Sequence, residues 1–166
     1  RELPLVRRKE PERRFADLIG KGQMCRLGGG GNVYRRCEGL KALSTTLMRD
    51  RAEAGSLVPA RDRLIRQQIR KTTPEHPLIC PPFIHSRSYS AEEGAGLRMV
   101  PSAALRTRAE RVGRETVWPE ELPAASGDCC PYEVMLQAAR GADVLLLNYH
   151  HVLDESIREQ LYLQLG

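Results

Sequence analysis

Residues 130–154 leave the backbone few choices. A proline at position 131 suits the first position of a helix, because its missing N–H is one that the opening turn would leave unbonded anyway. Val134, Leu136 and Ala138 are then expected in the interior, with Gly141 as the stop. The run that follows, ADVLLLNY (142–149), is short, apolar and without alternation, which suits a strand buried on both faces of a parallel sheet. Asp154 is placed to cap a last helix over 155–165. Helix, strand, helix is a piece of an α/β sheet. One strand cannot make a sheet, so the other strands are expected from chain outside this sequence.

Upstream the pattern is mostly helical. Residues 9–22 predict a short helix, with Pro11 in its first turn and Phe15, Leu18 and Ile19 on one face. CRLGGGGNVYRRC (25–37) predicts a loop, since four consecutive glycines hold neither helix nor strand. A helix is expected from about 36 to 54 through Leu40, Leu43 and Leu47, and a second, basic one over 58–73 with Leu64, Ile65 and Ile69 inward. The proline-rich 74–83 should be extended. Residues 84–130 look least regular, a long loop carrying one basic helix at 102–113. A loop of that length inside a compact domain needs something to pin it.

At 166 residues the chain is one domain by length, and 41% hydrophobic with 5% aromatic residues allows only a modest core. Its net charge of +5 conceals a division. Residues 1–114 hold 24 Lys and Arg against 12 Asp and Glu, whereas residues 115–166 hold 2 against 9. A basic front of this kind suits a polyanion, and on charge alone it suits a solvated, mixed-charge surface equally well. The arginines crowd into three groups: Arg7, Arg8, Arg13 and Arg14; Arg61, Arg63, Arg66 and Arg70; Arg106, Arg108 and Arg111. No stretch approaches the roughly 18 apolar residues of a membrane span, and no leader is legible, so an intracellular protein is expected. The opening on Arg1 and the close on Gly166 read as cuts.

Cysteines stand at 25, 37, 80, 129 and 130, an odd and scattered set unlike a secreted disulfide framework. Metal ligation or plain buried thiols fit better. With Pro131 opening a helix, Cys130 is the N-cap, where free backbone N–H groups and the positive helix end favour a thiolate. Cys25 precedes the glycine run, Cys37 begins a helix, and Cys80 lies against the rigid Pro81–Pro82. Cys129 is the expected spare, because chain neighbours rarely both reach one metal. The spacing is unlike the tight C-x-x-C runs of zinc ribbons or ferredoxins.

CCPYEVMLQAARGADVLLLNYHHVLDE (129–155) closely resembles a segment of the iron–sulfur superfamily 2 helicases of the XPD/DinG type, in which a C-P-Y/F helix leads to an A-D-V strand ending in N-Y-H. KGQMCR, YRRCEGLK and ICPPF are similar to the stretches carrying that family's first, second and third cluster ligands, although Gln23 replaces the usual asparagine and the Cys37–Cys80 segment is long. The resemblance implies that Cys25, Cys37, Cys80 and Cys130 ligate a 4Fe–4S cluster. It further implies a mixed α/β, mostly α-helical fold, a cluster insertion joined to a strand–helix piece of a RecA-like parallel motor domain. Residues 1–24 would lead in from the motor, 25–130 would form the cluster domain and 131–166 would return to the motor. The implied function is ATP-dependent 5′-to-3′ movement on single-stranded DNA with unwinding of forked duplex, the fragment lining the DNA path. Arg26, Arg35, Arg36, Tyr149 and His150 are the implied DNA contacts, and the rest of the motor is the implied protein partner.

Several classes are set aside by what the sequence lacks. No G-x-x-x-x-G-K-(S/T) loop and no D-E-A-H box occur, so ATP and magnesium belong to the intact parent and these residues alone are expected to be inactive. His150 and His151 have no carboxylate partner in view for acid–base work, and no serine or cysteine nucleophile has a recognisable partner set. The alternative from another class is a zinc-stabilised nucleic-acid-binding module without a motor, since four cysteines suit zinc as well as iron.

Overall fold

The computed structural model describes residues 12–27, 32–54, 77–92, 96–115 and 117–166, with isolated positions between 63 and 73. In chain order the elements are β1 (Phe15–Leu18), α1 (Lys21–Met24), α2 (Val33–Ala54), α3 (Pro81–Ser86), β2 (Arg87–Glu92), β3 (Gly96–Pro101), α4 (Ala103–Arg114), α5 (Leu122–Ala125), α6 (Pro131–Arg140), β4 (Val144–Leu147), α7 (His150–Leu153) and α8 (Glu155–Leu165). The fold is mixed α/β and mostly helical. The glycine run at 28–31 and most of the basic helix expected over 58–73 lie outside the described residues.

The C-terminal elements form where the local signals put them. Pro131 opens α6, Gly141 ends it, and the Asp154 carboxylate caps α8 by accepting the Ile157 N–H at 3.2 Å. The strand after α6 nevertheless has a partner within the chain. β4 pairs in parallel with β1, from Phe15 opposite Val144 to Leu18 opposite Leu147. This corrects both the helix expected over 9–22 and the need for outside strands to pair β4. Two anchors start the ladder: the Asp143 carboxylate accepts the Arg14 N–H at 2.8 Å, and the Arg14 carbonyl accepts the N–H groups of Asp143 and Val144. Phe15, Ala16 and Leu18 are all buried, more than one face of an amphipathic helix would cover. β4 itself is only half covered, with Leu146 exposed, so burial on both faces does not hold here.

The region expected as a long loop is also ordered. β2 and β3 form an antiparallel hairpin, from Arg87 opposite Pro101 to Glu92 opposite Gly96. Gly96 takes a positive φ of 76° where the second strand begins, a backbone state that glycine enters at little steric cost. α4 follows where expected, capped by the Ser102 hydroxyl, which accepts the Leu105 N–H at 3.1 Å. ICPPF is not extended throughout, because Pro81 and Pro82 occupy the first turn of α3, where no N–H is required.

One apolar core joins these pieces. Leu105, Ala109 and Val112 of α4 pack with Val134, Met135 and Ala138 of α6, Ala16 and Leu18 of β1, Leu122 and Leu161. A second, much smaller core holds Leu27, Cys80 and Phe83, with Cys25, Leu40 and Met99 packed against it. On α2 the buried face is set by Ser44 and Met48, whereas Leu43 points outward.

Candidate metal centre

Two of the expected ligands stand at matching positions. Cys80 is the N-cap of α3 and Cys130 the N-cap of α6. Each is held by a buried serine one helix away. The Ser44 hydroxyl accepts the Cys80 N–H at 2.9 Å while donating to the Leu40 carbonyl at 2.7 Å. The Ser86 hydroxyl accepts the Cys130 N–H at 2.8 Å while donating to the Pro82 carbonyl at 2.7 Å. Both serines are fully buried. The same Cys130 N–H also reaches the Pro82 carbonyl at 3.0 Å, which ties the start of α6 to α3.

Burial pushes the Cys80 thiol up to about 12 and the Cys130 thiol up to about 11. Backbone N–H groups of the following helical turn oppose that rise: Phe83 for Cys80, and Glu133 and Tyr132 for Cys130. Cys37 lies within α2, five residues in, and burial raises it as well, against the lowering pull of Lys41 and Lys21. Cys25 follows α1 directly, its N–H donating to the Lys21 carbonyl at 2.9 Å. The four thiols share one electrostatic neighbourhood. Cys130, Cys37 and Cys25 each contribute to the raised Cys80 thiol.

Cys129 points elsewhere. It is buried in the main apolar core, with its sulfur 3.8 Å from the His85 carbonyl. Gly127, at a φ of 56°, makes the turn just before it, and a Cβ there would meet the Arg108 guanidinium at 3.1 Å. The adjacent cysteines thus have different surroundings, Cys129 in the apolar core and Cys130 at a helix start, with Ser86 in reach of both.

No three Cys, His, Asp or Glu side chains among the described residues close on a position for one metal ion. A tetrahedral zinc site draws four sulfurs to about 2.3 Å from one centre, whereas in a cube-type cluster each thiolate meets its own iron and the frame is wider. Of the four thiols, Cys80 and Cys130 open two helices that the Cys130 N–H ties together through the Pro82 carbonyl at 3.0 Å, and a ligand set would be built on that pair. Ligation requires thiolates; the helix-start N–H groups favour them at Cys80 and Cys130, and Lys41 does so at Cys37 and Cys130, but burial outweighs these pulls and leaves all three thiols raised.

Charge behind the thiols is fixed by Glu133, a residue the sequence did not mark. Its carboxylate is 2% exposed and accepts from Lys41 Nζ at 2.6 Å and from the Arg87 guanidinium. Burial alone would raise the Glu133 carboxyl, but Lys41 and Arg87 outweigh it and hold the group below the usual glutamate range. Burial likewise disfavours charged Lys41, and Glu133, followed by Cys37 and Cys130, reverses that and raises it. Both cations also lie on the Phe83 ring, at 5.2 Å and 5.9 Å from its centroid.

The expected DNA contacts divide. Arg26, Arg35, Tyr149 and His150 are exposed, and the Tyr149 and His150 rings lie 4.0 Å apart. Arg26 also donates to the Gly127 carbonyl, and the half-buried Arg36 donates to the Leu27 carbonyl at 2.8 Å, so both guanidiniums brace the chain.

Residues 104–166 match the model of the DEAD_2 family. The similarity covers less than half of the chain, from within α4 to the end of α8, and includes Cys130 but not the other three thiols. It supports a relation of this part to DEAD/DEAH-type helicases, and nucleic acid as the class of partner. No curated protein and no solved structure gives a significant match. No helix among the described residues is long and apolar enough to cross a membrane.

Proposed function

We propose that this chain is the cluster-bearing part of an ATP-dependent DNA helicase of the iron–sulfur superfamily 2 type, with Cys25, Cys37, Cys80 and Cys130 as ligands of a 4Fe–4S cluster. The observation that carries the reading is the position of Cys130. It caps a helix inside the segment that matches DEAD_2, and it lies in the field of Cys80, which Cys37 and Cys25 also reach. The β1–β4 pairing supports assigning residues 1–24 and 131–166 to one motor sheet, with 25–130 as the cluster domain between them. When bound, the cluster supplies a covalent staple for loops that a three-residue buried core would hold poorly. Single-stranded DNA would run past the exposed Arg35, Tyr149 and His150, and ATP turnover belongs to motor elements that carry the nucleotide loop and D-E-A-H box.

The test is the metal content of the chain expressed without oxygen. About four irons and four sulfides per chain, with broad brown absorption lost in Cys130→Ser and kept in Cys129→Ser, is the expected result. Zinc without sulfide after iron supplementation would replace this reading with a zinc-stabilised binding module. A folded, metal-free chain would remove the ligand assignment.

A further inference from the structure

Lys21, Lys41, Arg87 and Arg140 line a single cavity of about 210 Å³, together with Glu38 and Glu133. The charges do not cancel. Glu133 is shared by two cations, Lys41 and Arg87. Lys21 is matched by Glu38 at 2.8 Å. Arg140 meets only neutral oxygens among the described residues: its Nε and Nη2 donate to the Gln164 carbonyl at 3.0 and 2.6 Å, and its Nη1 to the Gln137 side chain at 3.4 Å. Two positive charges are therefore left over, one from the Lys41–Arg87 pair and one from Arg140. Arg87 Nε is also buried with no hydrogen-bond partner, an uncommon state for a charged donor.

We propose that this cavity binds an oxyanion of the phosphate class. A phosphate dianion balances the surplus of two charges, and tetrahedral oxygens suit guanidinium forks and ammonium donors that approach from different walls. The cavity lining carries no acid beyond Glu38 and Glu133. The ligand is either free phosphate or the terminal phosphate of a nucleic acid, which present the same chemistry. The inference goes beyond the helicase reading and does not require the thiols to be loaded.

Titration calorimetry of the full chain with inorganic phosphate, in a buffer free of other oxyanions, tests it. Saturable binding that sulfate competes away is expected, weakened about tenfold or more in Arg140→Gln because one charge-assisted donor is lost. Arg140→Lys, which keeps the charge without the fork, should fall between. Arg114→Gln, an exposed change outside the cavity, should bind like the parent, and far-UV circular dichroism checks that each variant is folded. Tighter binding of a 5′-phosphorylated than a 5′-hydroxyl oligonucleotide, with the preference lost in Arg140→Gln, assigns the ligand to a nucleic-acid end. Equal binding of the two oligonucleotides, with free phosphate still bound, assigns it to the free anion. No saturable phosphate binding by the folded chain, or binding undiminished in Arg140→Gln, overturns the proposal. Neither failure would bear on the iron and sulfide content.

Discussion

The two halves of this molecule are held together by different physics. Around α4, α6 and β1, apolar side chains from distant segments meet in one core, in which Leu105 and Val134 are almost completely enclosed. Around the thiols the buried apolar set is three residues. There the segments are joined by the Ser44 and Ser86 hydroxyls, by the Lys41–Glu133–Arg87 network and by two guanidiniums bonded to backbone carbonyls. An apolar core tolerates small losses by local relaxation. A polar lattice does not, because each missing partner leaves another buried group unsatisfied. Cys129 and Cys130 mark the border: Cys129 is buried in the apolar core, Cys130 opens a helix beside the polar lattice, and the Ser86 hydroxyl reaches both.

Breaking each half at its centre should separate them most clearly. Glu133→Ala leaves Lys41 and Arg87 without their carboxylate and is expected to cost about 3–5 kcal/mol, the range for stripping one partner from a buried ion pair. Leu105→Ala is expected to cost about 2–5 kcal/mol as a core truncation. Urea denaturation measures both. The sharper readout, which rests on the proposed cluster, is bound iron per folded chain, which should fall in Glu133→Ala and hold in Leu105→Ala. Equal loss in both would mean that the two halves form one cooperative unit.

A milder version of the first break is acid. The Glu133 carboxyl is held below its ordinary value near 4.5 in the folded chain. Its stabilising contribution is therefore fully present above that value and is lost as pH falls through the lower, folded value. Stability measured against pH should decline through that acid window in the parent and decline less steeply in Glu133→Gln. The loss should be smaller than in Glu133→Ala, since a protonated Glu133 still fills its site and accepts one hydrogen bond. An unchanged slope in Glu133→Gln would place the acid sensitivity on other carboxylates.

How far the sequence foretells this division follows from range. Pro131, Gly141 and Asp154 act on their own neighbours, so α6, β4 and α8 are legible from composition and spacing alone. β1 is not, because RRFADLIG has a helix-like apolar face and becomes a strand through pairing with β4, about 129 residues away at the Arg14–Asp143 bond. The hairpin hides because RSYSAE and GLRMVP lack a clear apolar alternation, and α3 hides because its two prolines look extended. At the site, it follows from chain geometry that neighbours such as Cys129 and Cys130 have different surroundings. The groups around them cannot be read that way: Lys41 and Arg87 meet Glu133 across 92 and 46 residues, and Ser44 meets Cys80 across 36. Serine and lysine on a helix look like surface residues until the partner is known.

The smallest expected effects compare the two serine clamps. Ser44→Ala removes the hydroxyl that accepts the Cys80 N–H, for which no other acceptor stands among the described residues. Ser86→Ala removes the equivalent hydroxyl at Cys130, but that N–H keeps the Pro82 carbonyl at 3.0 Å. An orphaned buried donor costs about 1–3 kcal/mol, so Ser44→Ala should fall in that range and Ser86→Ala below it. Both changes keep α2 and α3 helical, since alanine is the better helix former, and this helix gain offsets part of each loss. Amide hydrogen exchange resolves the difference at the two cysteines directly. Faster exchange at Cys80 in Ser44→Ala than at Cys130 in Ser86→Ala is expected. The reverse order would mean that the Pro82 carbonyl contributes little, and that the serine hydroxyls alone fix where each helix begins and hence where each sulfur points.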